Sequence, residues 1–295
     1  MKYFIATRPY VVSASLIPFT IGAFLSIHSG HFVVLTYIIA ALSLMFIHFG
    51  SNSANDYFDY KNNIDRPGTF GSGGSRLLIR GKITVQEERW VMITCFILSV
   101  FFGMIVVLIA GLPILWFGIA GILGGYFYTA KPISLKYHGF SVPSIFIIYG
   151  ILTTLGGQYL MAHTLTLTGL IFSIIIGLPV TNIVLANEIR DTENDKIVGI
   201  KSLTILFGEI TGVWLYIMIF LLQYILLLYE IMVKNLSMWV LLAFVAIPIY
   251  LFVIVKLFSK VHGKLKAKDI ANADFLSSMG QLLFGLSIII GLSIR

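Results

Sequence analysis

The sequence predicts an all-α integral membrane protein with nine transmembrane helices. Hydrophobic residues make up 58% of the 295 residues and charged residues only 11%, and the mean hydropathy is +0.95. A water-soluble domain carries about a quarter of its residues as charged side chains. Long charge-free stretches also alternate with short polar segments. These stretches lack the period-2 pattern of barrel strands, the other fold that can span a bilayer.

The charge-free stretches place the helices in order along the chain. A spanning helix needs about 20 apolar residues. Three stretches are long enough for two helices each: 9–55, 90–130 and 137–187. Within them, breaks are expected at Ser29-Gly30-His31, Gly111-Leu112-Pro113 and His163-Thr164. Three further stretches hold one helix each: 210–229, 235–255 and 275–294. We interpret the apolar N-terminus as the first span and not as a signal peptide, because further spans follow it.

Basic residues are distributed asymmetrically about these spans. With a cytoplasmic N-terminus, 18 of the 20 Lys and Arg residues fall in cytoplasmic segments, and only Lys234 and Arg295 fall outside. Because positively charged segments stay in the cytoplasm, we expect the N-terminus and the polar loops there and the C-terminus outside, in a plasma-membrane protein. The net charge of +7 then reflects orientation and contact with anionic lipid. No nucleic-acid motif accompanies it, and we expect no nucleic-acid partner.

Acidic residues gather in two of the cytoplasmic segments. ANDYFD at 54–59 ends the second predicted helix, and ANEIRD at 186–191 ends the sixth, 132 residues later. An offset of four helices returns the chain to the same side of the membrane. The pattern therefore predicts two four-helix halves related by a parallel internal repeat, plus a ninth helix. We expect residues 1–295 to form a single domain.

Each acidic cluster places oxygen ligands along one helical face. Residues four apart share a face, which aligns Asn55 with Asp59, and Asn187 with Asp191 and Asp195. Oxygen ligands without neighbouring His or Cys favour Mg2+, which completes its coordination with waters and substrate phosphates. Two facing columns would hold two or more ions around a diphosphate. Bases in these two loops and in the loop between them either bind the remaining phosphate oxygens or serve orientation alone: Lys61, Arg76, Arg80, Lys131, Lys136, Arg190, Lys196 and Lys201.

Two neighbouring features have alternative interpretations. The stretch GTFGSGGSRLLIRG at 68–81 lacks the G-x-x-x-x-G-K-[ST] pattern of a P-loop. It is either a flexible turn or a loop that closes over a diphosphate with Arg76 and Arg80. His48 shares the helical face of the first cluster. Without a second His at ligand spacing, we interpret it as a packed or hydrogen-bonded histidine.

These residues resemble the UbiA superfamily of intramembrane prenyltransferases, whose two aspartate-rich motifs end helices 2 and 6. The superfamily pattern N-D-x-x-D-x-x-x-D begins at Asn55, but Asn63 replaces its last acid and Asp65 follows two positions later. NDYFDYKNNID is similar to the branch that prenylates 1,4-dihydroxy-2-naphthoate in menaquinone synthesis. Four more stretches are similar to that branch: TRPYVVSASLIPFTIGAF (7–24), GGSRLLIRGKIT (73–84), YTAKPISLKYHGF (128–140) and NEIRDTENDKIVGIKSLTILFG (187–208).

The resemblance implies a Mg2+-dependent enzyme that transfers a polyprenyl chain from its diphosphate to a small aromatic acceptor. The first expectation for the acceptor is 1,4-dihydroxy-2-naphthoate, decarboxylated to a demethylmenaquinone. The expected catalytic carboxylates are Asp56, Asp59, Asp191 and Asp195. The expected metal ligands are those four carboxylates with Asn55, Asp65 and Asn187. The expected diphosphate ligands are Arg76, Arg80, Lys131, Lys136, Arg190, Lys201 and Tyr128.

The sequence departs from that branch in two places. GFSV at 139–142 replaces G-L-G-E, and GI at 150–151 replaces a G-P in the fifth helix. Other acceptors, such as 4-hydroxybenzoate or homogentisate, or cyclisation of the isoprenoid itself, therefore remain open. An ion-coupled carrier is the alternative outside the transferases. It would carry its charges near the membrane midplane, commonly with inverted repeats, whereas these acids stand at one interface.

Overall fold

The computed structural model describes residues 1–27, 32–65, 74–234 and 236–294, and all regular structure within those ranges is helical. Seven of the described helices are long and apolar enough to cross a membrane, and two shorter apolar helices, Pro9–Phe24 and Pro113–Phe127, accompany them. The bounds are α1 Pro9–Phe24, α2 Val34–Lys61, α3 Val85–Ala110, α4 Pro113–Phe127, α5 Ser141–Ala162, α6 Leu167–Val198, α7 Glu209–Lys234, α8 Met238–Val261 and α9 Ala273–Ser293. The all-helical membrane class is thus confirmed. The count of nine spans, the internal repeat and the single domain stay predictions.

Two of the three expected breaks between helices lie within the described residues. The break at Ser29-Gly30-His31 and residues 68–73 of the glycine-rich stretch lie outside the described residues. The other two breaks are found. Gly111 ends α3 with a φ of 87°, and α4 begins at Pro113. His163 ends α5 in the left-handed conformation, with a φ of 52°.

Both acid motifs lie within the last turns of long helices. ANDYFD belongs to α2, which continues to Lys61. ANEIRD belongs to α6, which continues to Val198 and is capped by Gly199 with a φ of 77°. At the other end of α6, the Thr166 hydroxyl accepts a hydrogen bond from Gly169 N at 3.0 Å. Residues four apart in either motif therefore do share a helical face.

Glycines allow the helices around the site to approach closely. Where α1 packs against α5, the backbone of α5 occupies the position that a Cβ on Gly22 would take, and the backbone of α1 does the same at Gly157. Where α5 meets α6, a Cβ on Gly150 would lie 2.6 Å from Gly177 Cα. The α5 backbone there, Phe146–Leu152, is π-helical. Small residues commonly permit such contacts between transmembrane helices.

Helix α1 takes part in two hydrophobic cores. Its Ile17 and Ile21 pack into the larger core, with α6, α7, α8 and α9. Its Phe19 and Ala23 pack into a smaller core with α2, α3 and α5. The chain thus forms two groups of helices joined through α1, and the cavity described below lies between them.

Candidate active site

A cavity of about 220 Å³ lies among α1, α2, α4, α5, α6 and α9. One end is lined by amide and carboxylate side chains from both acid motifs: Asn55, Asn187, Asp191, Asn194 and Asp195. Much of the remaining wall is apolar: Ala14, Ile145, Ile148, Val180, Ile183 and Val184. The two motifs therefore meet at the polar end of one cavity with apolar walls.

The Lys136 ammonium group lies between the two motifs. Its Nζ is 2.6 Å from Oδ2 of the fully buried Asp59 and 3.3 Å from Asn55 Oδ1, and the Tyr137 hydroxyl donates to Asp59 Oδ1 at 2.6 Å. Burial lowers the pKa of Lys136, but the negative charges of Asp59 and, at longer range, Asp195 together raise it by more. The pKa of Lys136 therefore lies above the usual lysine value. The amine stays charged. It also lines the cavity, which puts it within reach of both motifs.

Asp56 and Asp65 form a second cluster beside the cavity and do not line it. Asp56 pairs with the Arg8 guanidinium and accepts a hydrogen bond from Ser75 N at 2.8 Å. A Cβ on Gly74 would lie 2.7 Å from Asp56 Oδ1 and 3.2 Å from Asp65 Oδ2. The glycine thus lets the loop backbone close over both carboxylates. Because Arg8 does line the cavity, this cluster adjoins the site.

The second motif is held by a buried arginine. Arg190 Nε and Nη2 donate to the two oxygens of Asp191, each at 2.8 Å, and Nη2 also donates to Asn187 Oδ1 at 2.6 Å. Its Nη1 pairs with Asp274 Oδ1 of α9 at 2.8 Å. Arg190 is 2% exposed and lies outside the cavity lining. It therefore positions Asp191 and α9, while Asp191 and Asp195 face the cavity.

The expected diphosphate ligands divide into two groups. Lys136 and Tyr128 line the cavity. Burial, followed by the charges of Glu188 and Asp59, raises the pKa of Tyr128 well above its ordinary value, so its hydroxyl remains a hydrogen-bond donor. The others lie outside the cavity lining: Arg76, Arg80, Lys131, Arg190 and Lys201. Among these, Arg80, Lys131 and Lys201 are exposed to solvent.

Sequence reasoning did not single out several residues of the site. Tyr137 follows Lys136 in the YTAKPISLKYHGF stretch, which was a usable signal. Asp274 is a single acid more than eighty residues after the second motif, and its sequence environment carried no signal. Glu188 was counted in the acidic cluster but given no role. It accepts hydrogen bonds from Ser141 Oγ and from Leu203 N, the latter at 3.0 Å.

His48 is a packed histidine, one of the two environments that the sequence allowed. It is 3% exposed and lines the cavity, and its ring centroid lies 5.5 Å from that of Tyr149. Neither ring nitrogen has a hydrogen-bond partner among the described residues. Of the two expected environments, packed or hydrogen-bonded, the described residues provide the packed one.

A UbiA prenyltransferase family model matches residues 15–278. The chain belongs to the UbiA prenyltransferase family. This UbiA protein is therefore a prenyltransferase embedded in a membrane. The family favours the transferase over the ion-coupled carrier, and the resemblance drawn from the aspartate motifs is confirmed.

Relatives in this family cover most of the chain. The UbiA protein is 26% identical over 242 residues to 1,4-dihydroxy-2-naphthoate octaprenyltransferase of Bacillus subtilis (strain 168), covering 82% of this chain and 77% of that relative. It is 28% identical over 213 residues to the enzyme of the same name from Escherichia coli (strain K12), covering 70% of this chain and 68% of that relative. The structure of a UbiA homolog from Archaeoglobus fulgidus bound to GPP and Mg2+ has a TM-score of 0.65 at 16% identity, covering 98% of this chain and 100% of that one. This last likeness shows the fold.

Proposed function

We propose that this UbiA protein transfers a polyprenyl chain from its diphosphate to 1,4-dihydroxy-2-naphthoate, with loss of carbon dioxide, and that it requires Mg2+. The observation that carries the proposal is the shape and chemistry of one cavity. Asn55 of the first motif and the asparagine and aspartate oxygens of the second, with Lys136, line its polar end, and apolar side chains line much of the rest. That combination suits a diphosphate head attached to a hydrocarbon chain. The two relatives named above act, by their names, on this acceptor.

The oxygen ligands of the second motif fit Mg2+. Asp191 and Asp195 lie four apart on α6, with Asn187 one turn before them, and all three line the cavity. No three acidic, His or Cys side chains in the described ranges converge closely enough to hold an ion alone. Mg2+ characteristically takes one or two carboxylates and completes its shell with waters and substrate phosphates. The A. fulgidus homolog binds GPP and Mg2+, and we infer a similar arrangement here.

The first motif reaches the diphosphate through Lys136. Both oxygens of Asp59 accept hydrogen bonds, from Lys136 and from Tyr137. We infer that Asp59 holds the amine at the polar end, where it pairs with phosphate oxygens that the metal leaves uncovered. Asp59 becomes free to bind the metal only if the Lys136 amine leaves this carboxylate for a phosphate oxygen. The Tyr128 hydroxyl donates to the same anion.

The reaction requires the allylic C–O bond to break with its electron pair leaving on the diphosphate. Bound Mg2+ supplies charge neutralisation for this leaving group. Lys136 and Tyr128 add fixed positive charge and a hydrogen bond where negative charge develops. A ring carbon of the acceptor then forms the new C–C bond, and the carboxylate on that carbon leaves as carbon dioxide. The apolar walls exclude water, which would otherwise capture the allylic cation.

The isoprenoid chain has a further apolar space to occupy. A second cavity of about 260 Å³ lies among α1, α2, α3, α4 and α5, with almost entirely apolar walls. Ile47 and Gly121 line this cavity, and Ser51 and Gly125, which lie four residues later on the same helical faces, line the first. Because the two cavities adjoin, we propose that the chain extends from the first into the second.

The acceptor is tested with membranes that contain the protein, one labelled allylic diphosphate and a panel of aromatic acceptors. We expect labelled product with 1,4-dihydroxy-2-naphthoate and release of carbon dioxide. Product only with 4-hydroxybenzoate or homogentisate would assign another acceptor, and product without any acceptor would assign a cyclase.

EDTA should abolish turnover, and Mg2+, but not Zn2+, should restore it because the proposed ligands are all oxygens. Full turnover in EDTA would contradict the metal site.

A further inference from the structure

A third cavity lies on the outside of α2, α3 and α4, separate from the active site. It has a volume of about 650 Å³, and we refer to it as the α2–α4 groove. Helix α3 contributes one face to it, with residues spaced by three and four: Arg89, Met92, Ile93, Phe96, Ile97 and Val100. Helix α2 contributes Tyr57, Phe58 and Lys61, and α4 contributes Tyr126. In a membrane protein, this groove faces the lipid.

Two cations stand at one end of the groove. Lys61 is the last residue of α2, and its Nζ lies 5.5 Å from the centroid of the Tyr57 ring. Arg89 is exposed in the second turn of α3. Neither forms an ion pair with any described carboxylate. The nearest acid in sequence to Arg89 on the exposed surface, Glu87, is paired with Lys2 at 2.7 Å. The two charges are thus available to an anion.

The rest of the groove is apolar and has the length of an acyl chain. Phe58 and Phe96 pack edge-on against Tyr126, with ring centroids at 5.7 Å and 6.2 Å. From Arg89 to Val100, eleven residues at about 1.5 Å each extend roughly 16 Å along α3. That distance is about half of the roughly 30 Å hydrocarbon thickness of a bilayer. The groove is therefore long enough to extend from the interface to about the bilayer midplane.

We propose that the α2–α4 groove binds one anionic phospholipid of the leaflet on the side of the acid motifs. The lipid phosphate lies between Lys61 and Arg89, and one acyl chain lies along α3 from Met92 to Val100. A zwitterionic phospholipid offers the same chains but no net charge, so two unpaired cations favour the anionic lipid. Neither base lines the active-site cavity, so the phosphate position is distinct from the site of the proposed reaction. Val100, at the far end of the groove, also lines the second cavity.

The proposal is tested by native mass spectrometry of the full-length protein with equal amounts of phosphatidylglycerol and phosphatidylcholine. We expect the wild type to retain phosphatidylglycerol preferentially. The double variant Lys61→Gln and Arg89→Gln should lose at least about tenfold in affinity for it, with little change for phosphatidylcholine. Equal retention of both lipids by the wild type, or unchanged retention by this variant, would overturn the site.

Two further variants separate the groove from general effects of charge and folding. Lys264→Gln with Lys268→Gln removes two exposed bases from the loop before α9, and should change the affinity by less than about twofold. A loss as large as that of the Lys61 and Arg89 variant would overturn the proposal. Ile97→Trp fills the apolar part of the groove without changing charge. It should also lower retention of phosphatidylglycerol, and undiminished retention would contradict the acyl-chain position.

Discussion

At the residue scale, Lys136 connects the two acid motifs. Its amine lies 2.6 Å from Asp59 of the first motif, and the charge of Asp195 in the second motif acts on it at longer range. Asp191 is held by Arg190 in a two-point contact. One carboxylate of each motif is therefore held in place by a neighbouring cation.

Asp59→Asn and Asp191→Asn should fail in the same way if both motifs serve one diphosphate. Asparagine keeps the size and one oxygen but removes the negative charge. Each change should lower turnover by at least about a hundredfold, a barrier increase of roughly 2.7 kcal/mol. The loss of turnover in the double variant should be far smaller than the two single losses combined. Groups that act as one unit are already disabled when one of them is lost. Steady-state kinetics on purified variants measure this.

Glu87→Gln is the matched control for these two variants. Glu87 pairs with Lys2 at 2.7 Å on the outside of the protein, and glutamine keeps the oxygen that caps α3. Its turnover should stay within about twofold of wild type, as for an exposed ion pair. Glu88, equally close in sequence, is a poor control because it is fully buried. Normal turnover in Asp191→Asn together with an inactive Asp59→Asn would contradict the shared site.

Lys136→Gln should lower turnover far more than Lys131→Gln or Lys201→Gln. Only Lys136 lines the cavity, whereas the other two are exposed outside it. Removing a cation that contacts the leaving group should cost at least about a hundredfold. The exposed lysines should cost less than about threefold. Equal losses for all three in the same assay would show that Lys131 and Lys201 also bind the diphosphate, as the resemblance implies.

At the element scale, the crossing of α1 and α5 depends on the absence of side chains. A Cβ at Gly157 would overlap the backbone of Phe19 in α1, and one at Gly22 would overlap Thr154 in α5. No side-chain adjustment relieves such an overlap, because the atoms in contact belong to the backbone. Since α1 joins the two hydrophobic cores, the two groups of helices could not keep their present spacing.

Gly157→Ala should therefore destabilise the protein. We expect a loss of roughly 1–3 kcal/mol in the free energy of unfolding, the range for overpacked cores. The control is Gly118→Ala in α4, where an added Cβ meets nothing within 4 Å. It should be neutral or slightly stabilising, since alanine favours a helix over glycine. Thermal unfolding in detergent compares the two, and an equal effect of both would contradict the close approach.

At the scale of the whole molecule, the distribution of basic residues predicts how the chain lies in the membrane. Reporter proteins fused after Lys268 and after Lys234 should be cytoplasmic and external, respectively. The physical reason is that 18 of the 20 basic residues fall on one side under the nine-span topology. Protease accessibility or reporter activity in intact cells measures the side. Both reporters on one side, or the reverse assignment, would contradict that topology.

The sequence by itself determined the membrane class, the family and both acid motifs. Composition sets the class, and the spacing of Asn187, Asp191 and Asp195 sets a helical face, because these are local properties of the chain. The sequence also predicted the helix ends at Gly111 and His163, where the backbone takes positive φ. It could not single out Lys136 as the lysine that lines the cavity, because the cytoplasmic loops of membrane proteins are enriched in Lys and Arg for orientation alone.

Only the tertiary structure decided which charged side chains reach the cavity. Lys136 and Tyr128 enter it, Lys131 and Lys201 do not, and Asp56 lies with Arg8 beside it. It also decided that Arg190 binds Asp191 and reaches Asp274 on α9. These contacts join residues far apart in sequence, so they follow from how helices pack on one another. The packing depends on close approaches, such as that of α1 to α5, which no local pattern specifies.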